Sequence, residues 1–123
     1  MKIRIKNNSV RFRLSRKEVE EFGKTGYLEG RTDFFPFPFL YSIKSTGNVS
    51  ALSADYRDHT ISLEVPHAWA KEWVNTDRTG FDTQMEILDG QYIYLLIEKD
   101  FKCLNEAIED QADNYENPLK ADT

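Results

Sequence analysis

Apolar and polar residues alternate with period two through Ile3, Ile5, Val10, Phe12 and Leu14, and again through Leu52, Ala54, Tyr56, Ile61, Leu63 and Val65. That period belongs to strands with one buried face. Asn7-Asn8 divides the first run, and asparagine tolerates the positive φ of a tight turn, so a hairpin is predicted from strands near Lys2–Lys6 and Ser9–Leu14. In that register Lys2, Arg4, Lys6, Arg11 and Arg13 all point away from the apolar side, giving the hairpin one oily face and one basic face.

Ser15 followed by Glu18 is a capping-box pattern, which predicts a helix carrying Val19 and Phe22 on one face and stopping at Gly23. The second run leads to Pro66, suited to a first helical turn, and then to Trp69 and Trp73 one turn apart on a shared face. Those two indoles are expected to form the main apolar contact of that half. Further hairpins are predicted from Tyr27–Asp33 with Leu40–Lys44, and from Asp82–Leu88 with Tyr92–Glu98, the latter turning at Asp89-Gly90.

Each half therefore reads hairpin, helix, hairpin. A shift of 51 positions sets Val10 on Ile61, Phe12 on Leu63, Leu14 on Val65 and Phe22 on Trp73. The expectation is an α+β domain over residues 1–104, with repeats at about 1–46 and 48–99 joined through Thr46-Gly47-Asn48. The two units are expected to form a mainly antiparallel, partly closed barrel-like sheet with the helices over its ends. Residues 105–123 read as an acidic, partly ordered tail.

With 123 residues, 40% hydrophobic and 30% charged, the chain suits one soluble domain with a single core. No apolar run approaches the roughly 20 residues that cross a bilayer, and no apolar h-region follows the basic start, so no membrane is expected and the cytoplasm is the default compartment. A single cysteine, Cys103, rules out an internal disulfide and fits a reducing compartment. The net charge of −5 hides an asymmetry: residues 1–33 carry +4, residues 34–97 carry −4, and residues 98–123 carry −5. The acidic balance argues against nucleic acid as a partner yet allows a local basic patch.

Four constellations could carry chemistry. The basic face, Lys2, Arg4, Lys6, Arg11 and Arg13, could hold an anionic ligand or partner through arginine forks, its bland alternative being a solvated strand face. Cys103 with Glu106, Glu109, Asp110 and Asp113 suggests a metal site or enzyme centre, but soft sulfur and hard carboxylates favour different metals, and a lone cysteine is more often a small buried hydrophobe. His59 and His67 are sequence-distant from Cys103, and His67 is expected at the surface. Phe34-Phe35-Pro36-Phe37-Pro38-Phe39 cannot be a central strand; it is expected to plug one open end of the sheet, the alternative being an exposed module for protein interaction. Phosphate-loop, zinc and nucleophile-elbow motifs are all missing, which leans against an enzyme and predicts no cofactor. The chain is expected to be a monomer or a homodimer.

Lys2-Ile3-Arg4-Ile5-Lys6, Asn8-Ser9-Val10-Arg11-Phe12-Arg13-Leu14 and the later Glu98-Lys99-Asp100-Phe101-Lys102-Cys103-Leu104 resemble a small bacterial family carried as a domain of unknown function. The resemblance runs from the start to Asn117-Pro118 and implies a free-standing cytoplasmic protein with no assigned activity. The order of elements and the Ser15 cap also resemble swapped-hairpin and cradle-loop barrel proteins, in which two interlocking units sit about a pseudo-twofold axis. Their DNA-binding members make nucleic acid conceivable at the basic hairpin, against which the acidic remainder weighs.

Overall fold

Asn7, at a φ of 49°, turns the chain so that β1 (Lys2–Lys6) and β2 (Ser9–Leu14) lie antiparallel, with Ile3 opposite Phe12, Ile5 opposite Val10 and Arg4 opposite Arg11. The computed structural model describes residues 1–101. Both capping-box bonds start α1 (Arg16–Thr25): the Glu18 N–H donates to Ser15 Oγ at 3.3 Å and the Ser15 N–H to the Glu18 carboxylate at 2.9 Å. The helix passes through Gly23 and ends instead at Gly26, whose φ of 73° lets its N–H reach the Phe22 carbonyl at 2.8 Å. Gly23 serves packing: a Cβ there would lie 2.6 Å from Val74 Cγ1, so its missing side chain lets the two helices approach.

The chain continues through β3 (Tyr27–Thr32), β4 (Phe39–Thr46), β5 (Ser53–Arg57), β6 (Thr60–Pro66), α2 (His67–Asn75), β7 (Gly80–Leu88) and β8 (Gln91–Lys99). The strands form two four-stranded sheets, ordered β1-β2-β8-β7 and β3-β4-β6-β5. Outer pairs are antiparallel hairpins, whereas the central pairs β2/β8 and β4/β6 are parallel. Each sheet thus takes one hairpin from each half of the chain.

The expected barrel does not close. No strand ladder joins the sheets among the described residues; side chains bridge the seams instead. At one seam the Leu52 N–H donates to Thr83 Oγ1 at 3.2 Å and the Ala54 N–H to Met85 Sδ at 3.4 Å; at the other, the Tyr41 hydroxyl donates to the Met1 carbonyl at 3.4 Å.

One contiguous core lies between the sheets and beneath the helices. Phe12, Leu14, Leu95 and Ile97 come from the first sheet, Ile43, Leu63 and Val65 from the second, and Phe22 and Trp73 from the helices, all essentially inaccessible. The two indoles do not share a partner: Trp73 meets Phe22, while Trp69 stacks on Phe81 at 4.8 Å. Both helices sit at one pole, and the β1–β2, β3–β4, β5–β6 and β7–β8 connections all emerge at the other.

Candidate functional site

The antiparallel register places Lys2 opposite Arg13 and Arg4 opposite Arg11, and the parallel register continues those rows onto β8, where Arg11 neighbours Leu96 and Arg13 neighbours Glu98. All five predicted basic residues therefore share the outer face of the first sheet, as strand alternation requires. They are not equivalent. Lys2 Nζ lies 3.1 Å from Asp100 and Arg13 2.8 Å from Glu98, so one end of the patch is neutralised by the chain's own carboxylates. Arg11 lies over the Tyr94 ring, 5.7 Å from its centroid. Arg4 and Lys6 are exposed, and no ion pair engages either among the described residues.

Tyr94 completes this face. Its hydroxyl donates to Asp82 at 3.0 Å, and burial, reinforced by that bond and the carboxylate's charge, pushes its pKa above the usual tyrosine value. Tyr94 and Leu96 were not among the sequence candidates. The alternation of β8 places both on the face opposite Leu95 and Ile97, but only the parallel pairing with β2 brings them beside the arginines.

The Phe-Pro segment does not act as a plug. Phe34, Phe35 and Phe37 are 65%, 99% and 57% exposed, and only Phe39 turns inward, packing against the core beside Tyr41. The cause is local anchoring. Phe37 stacks on His59 at 4.5 Å and the Leu40 N–H donates to the His59 carbonyl at 3.0 Å, tying the loop to the β5–β6 turn instead of across the opening. The turn pole consequently retains an apolar cavity of about 250 Å³ lined by Val10, Ala54, Asp55, Tyr56, Ile61, Met85, Ile87 and Ile93.

A third arrangement escaped the sequence altogether. Ser45, near the end of β4, and His67, opening α2, place Oγ and Nδ1 2.7 Å apart at a cleft of about 330 Å³ that also holds Lys71 and Asn75. His67 is exposed, as expected. Among the described residues no carboxylate lines the cleft beside the imidazole. Cys103, Glu106, Glu109, Asp110 and Asp113 lie outside the described residues, within which no group of three or more His, Cys, Asp or Glu side chains is placed to hold a metal. No helix among the described residues is long and apolar enough to cross a membrane.

The chain belongs to the family DUF7009, described as a family of unknown function, whose model matches residues 1–119. No curated protein and no solved structure matches it.

Proposed function

We propose that this is a small cytoplasmic binding or accessory protein that engages an anionic ligand on the outer face of the first sheet, through Arg4, Lys6 and Arg11. The observation that carries this reading is the direct opposition of Arg4 and Arg11 across the hairpin, with exposed Lys6 two positions along β1. Like charges set opposite each other on one sheet face destabilise the free protein, by about 0.2–1 kcal/mol per pair. An anion bridging them would relieve that repulsion and gain charge-assisted hydrogen bonds. Lys2 and Arg13, already paired with Asp100 and Glu98, flank the site and orient it. The favoured ligand bears phosphate or clustered carboxylate groups, because arginine forks match their geometry.

We further propose that residues 1–104 fold as one domain built from two related units. Its support is register: a displacement of 51 residues carries the β1–β2 pair Ile3/Phe12 onto the β5–β6 pair Ala54/Leu63, and Phe22 onto Trp73. Phe12 beside Ile97 in the parallel centre of one sheet has its counterpart in Leu63 beside Ile43 in the other. The single cysteine of the chain supports the cytoplasmic assignment.

Calorimetric titration with inorganic pyrophosphate and with a heparin oligosaccharide, in low salt, tests the binding site. The expected result is binding that weakens about tenfold or more in Arg4→Gln/Arg11→Gln and declines as salt rises. Equal affinity in the wild type and the double variant would refute the assignment.

A further inference from the structure

We propose that the turn pole is a self-association surface whose occupant is a second copy of this chain, packed pole to pole about a twofold axis parallel to the sheet normals. The surface adjoins the basic face and shares Lys6, at the pole end of β1, with it. Of the ten large hydrophobic residues exposed among the described residues, eight lie at this pole, and only Tyr27 and Phe101 lie elsewhere. Ile5, Tyr56, Ile87, Leu88 and Tyr92 come from the hairpin ends, and Phe34, Phe35 and Phe37 from the β3–β4 loop.

Aromatic side chains bury about 150–250 Å² each when fully covered and Ile and Leu somewhat less, so these eight, each about half exposed or more, present on the order of 800 Å². A standard interface needs about that much from each partner. The pole also holds both a projection and a recess. Phe35 is 99% exposed at the tip of the loop, and the cavity bounded by Tyr56, Met85, Ile87 and Ile93, about 250 Å³, is of a size to receive one aromatic ring.

The symmetry follows from the strand order. In the first sheet β1 and β7 are the two edges; one seam sets β5 beneath β7, and the strand order then leaves β3 on the β1 side, where Tyr41 of the neighbouring β4 reaches the Met1 carbonyl. A twofold axis along the sheet normal exchanges these edges. It sets the β3–β4 loop of one copy over the β5 and β7 ends of its partner, which is where the cavity opens. The same rotation brings Lys6, at the pole end of β1, to Glu86, near the pole end of β7 and on the same outer face. An isologous interface must complement itself in this way, knob to hole and cation to anion.

Sedimentation equilibrium of the full chain, from micromolar to millimolar concentration, tests the proposal. The wild type is expected to dimerise, and Phe35→Ser and Ile87→Glu, both at exposed positions and checked for retained fold by circular dichroism, are each expected to weaken the dimer about tenfold or more. Glu86→Lys should weaken it as well, and adding Lys6→Glu to that variant should restore it. A wild type that stays monomeric at millimolar concentration overturns the proposal, as does a dimer indifferent to Phe35→Ser and Ile87→Glu. A monomer whose pole binds a fatty acid would assign the surface to a small apolar ligand instead.

Discussion

Phe22 and Trp73 meet edge to face, their ring centroids 6.1 Å apart and their planes at 69°, with both side chains sealed from solvent. They are the point at which α1 and α2 lock over the two sheets. Truncating either to alanine is predicted to destabilise the protein by about 3–5 kcal/mol, measured by urea unfolding. A double-mutant cycle should return a coupling of about 0.5–1.5 kcal/mol from the ring geometry itself. Trp73→Phe should cost less than the alanine truncation, through a smaller cavity together with loss of the Nε1–H bond to the Thr79 carbonyl at 3.0 Å, the latter about 1 kcal/mol.

Tyr41 covers Gly30 so closely that a Cβ on the glycine would lie 2.2 Å from Tyr41 Cε2. Gly30→Ala is therefore predicted to cost about 1–3 kcal/mol through overpacking rather than backbone strain. Adding Tyr41→Ala removes the clash. The double variant should thus lose less stability than the two single losses added together, and strict additivity in unfolding experiments would show that the ring and the glycine do not share that space.

Local signals in the chain were enough to place the first hairpin, the Ser15 cap and the Asp89-Gly90 turn, because each depends on residues a few positions apart. Gly23 misled for the same local reason: it looks like a helix stop, and only contact with Val74 on the other helix explains it. The parallel pairings of β2 with β8 and β4 with β6 were not legible, since nothing in either strand names a partner so far along the chain. The shared face of the five basic residues was legible because alternation alone assigns it, whereas the place of Tyr94 beside them required the parallel register. Phenylalanine content suggested burial for the Phe34–Phe37 stretch; the contacts of Phe37 and Leu40 with His59 hold it outward instead.

The stability of α1 should depend on acid pH through Glu18. Burial would raise its pKa, but the bonds it accepts from the N-terminal ammonium and from Ser15 outweigh that and hold it below the usual carboxylate value. A carboxylate depressed in the folded state contributes its full stability above the unfolded value, and the contribution disappears as pH falls through the folded value. Stability measured by urea unfolding is predicted to decline more steeply in the wild type than in Glu18→Gln as pH falls below the ordinary glutamate pKa. Identical pH profiles would remove Glu18 from the account.

Opposed arginines predict a trade between stability and binding. Arg4→Gln should stabilise the unliganded protein by about 0.2–1 kcal/mol in low salt, with the gain shrinking as ionic strength rises, while it weakens anion binding. Destabilisation by this substitution in thermal unfolding would show that Arg4 is engaged by a partner of its own.

Amide chemical-shift mapping during titration with pyrophosphate in low salt probes the proposed anion site at the outer face of the first sheet. Saturable shifts centred on Arg4, Lys6, Arg11 and the neighbouring Tyr94, lost in high salt, are expected. Shifts centred on Lys71 and His67, or no saturable shifts at all, would contradict it.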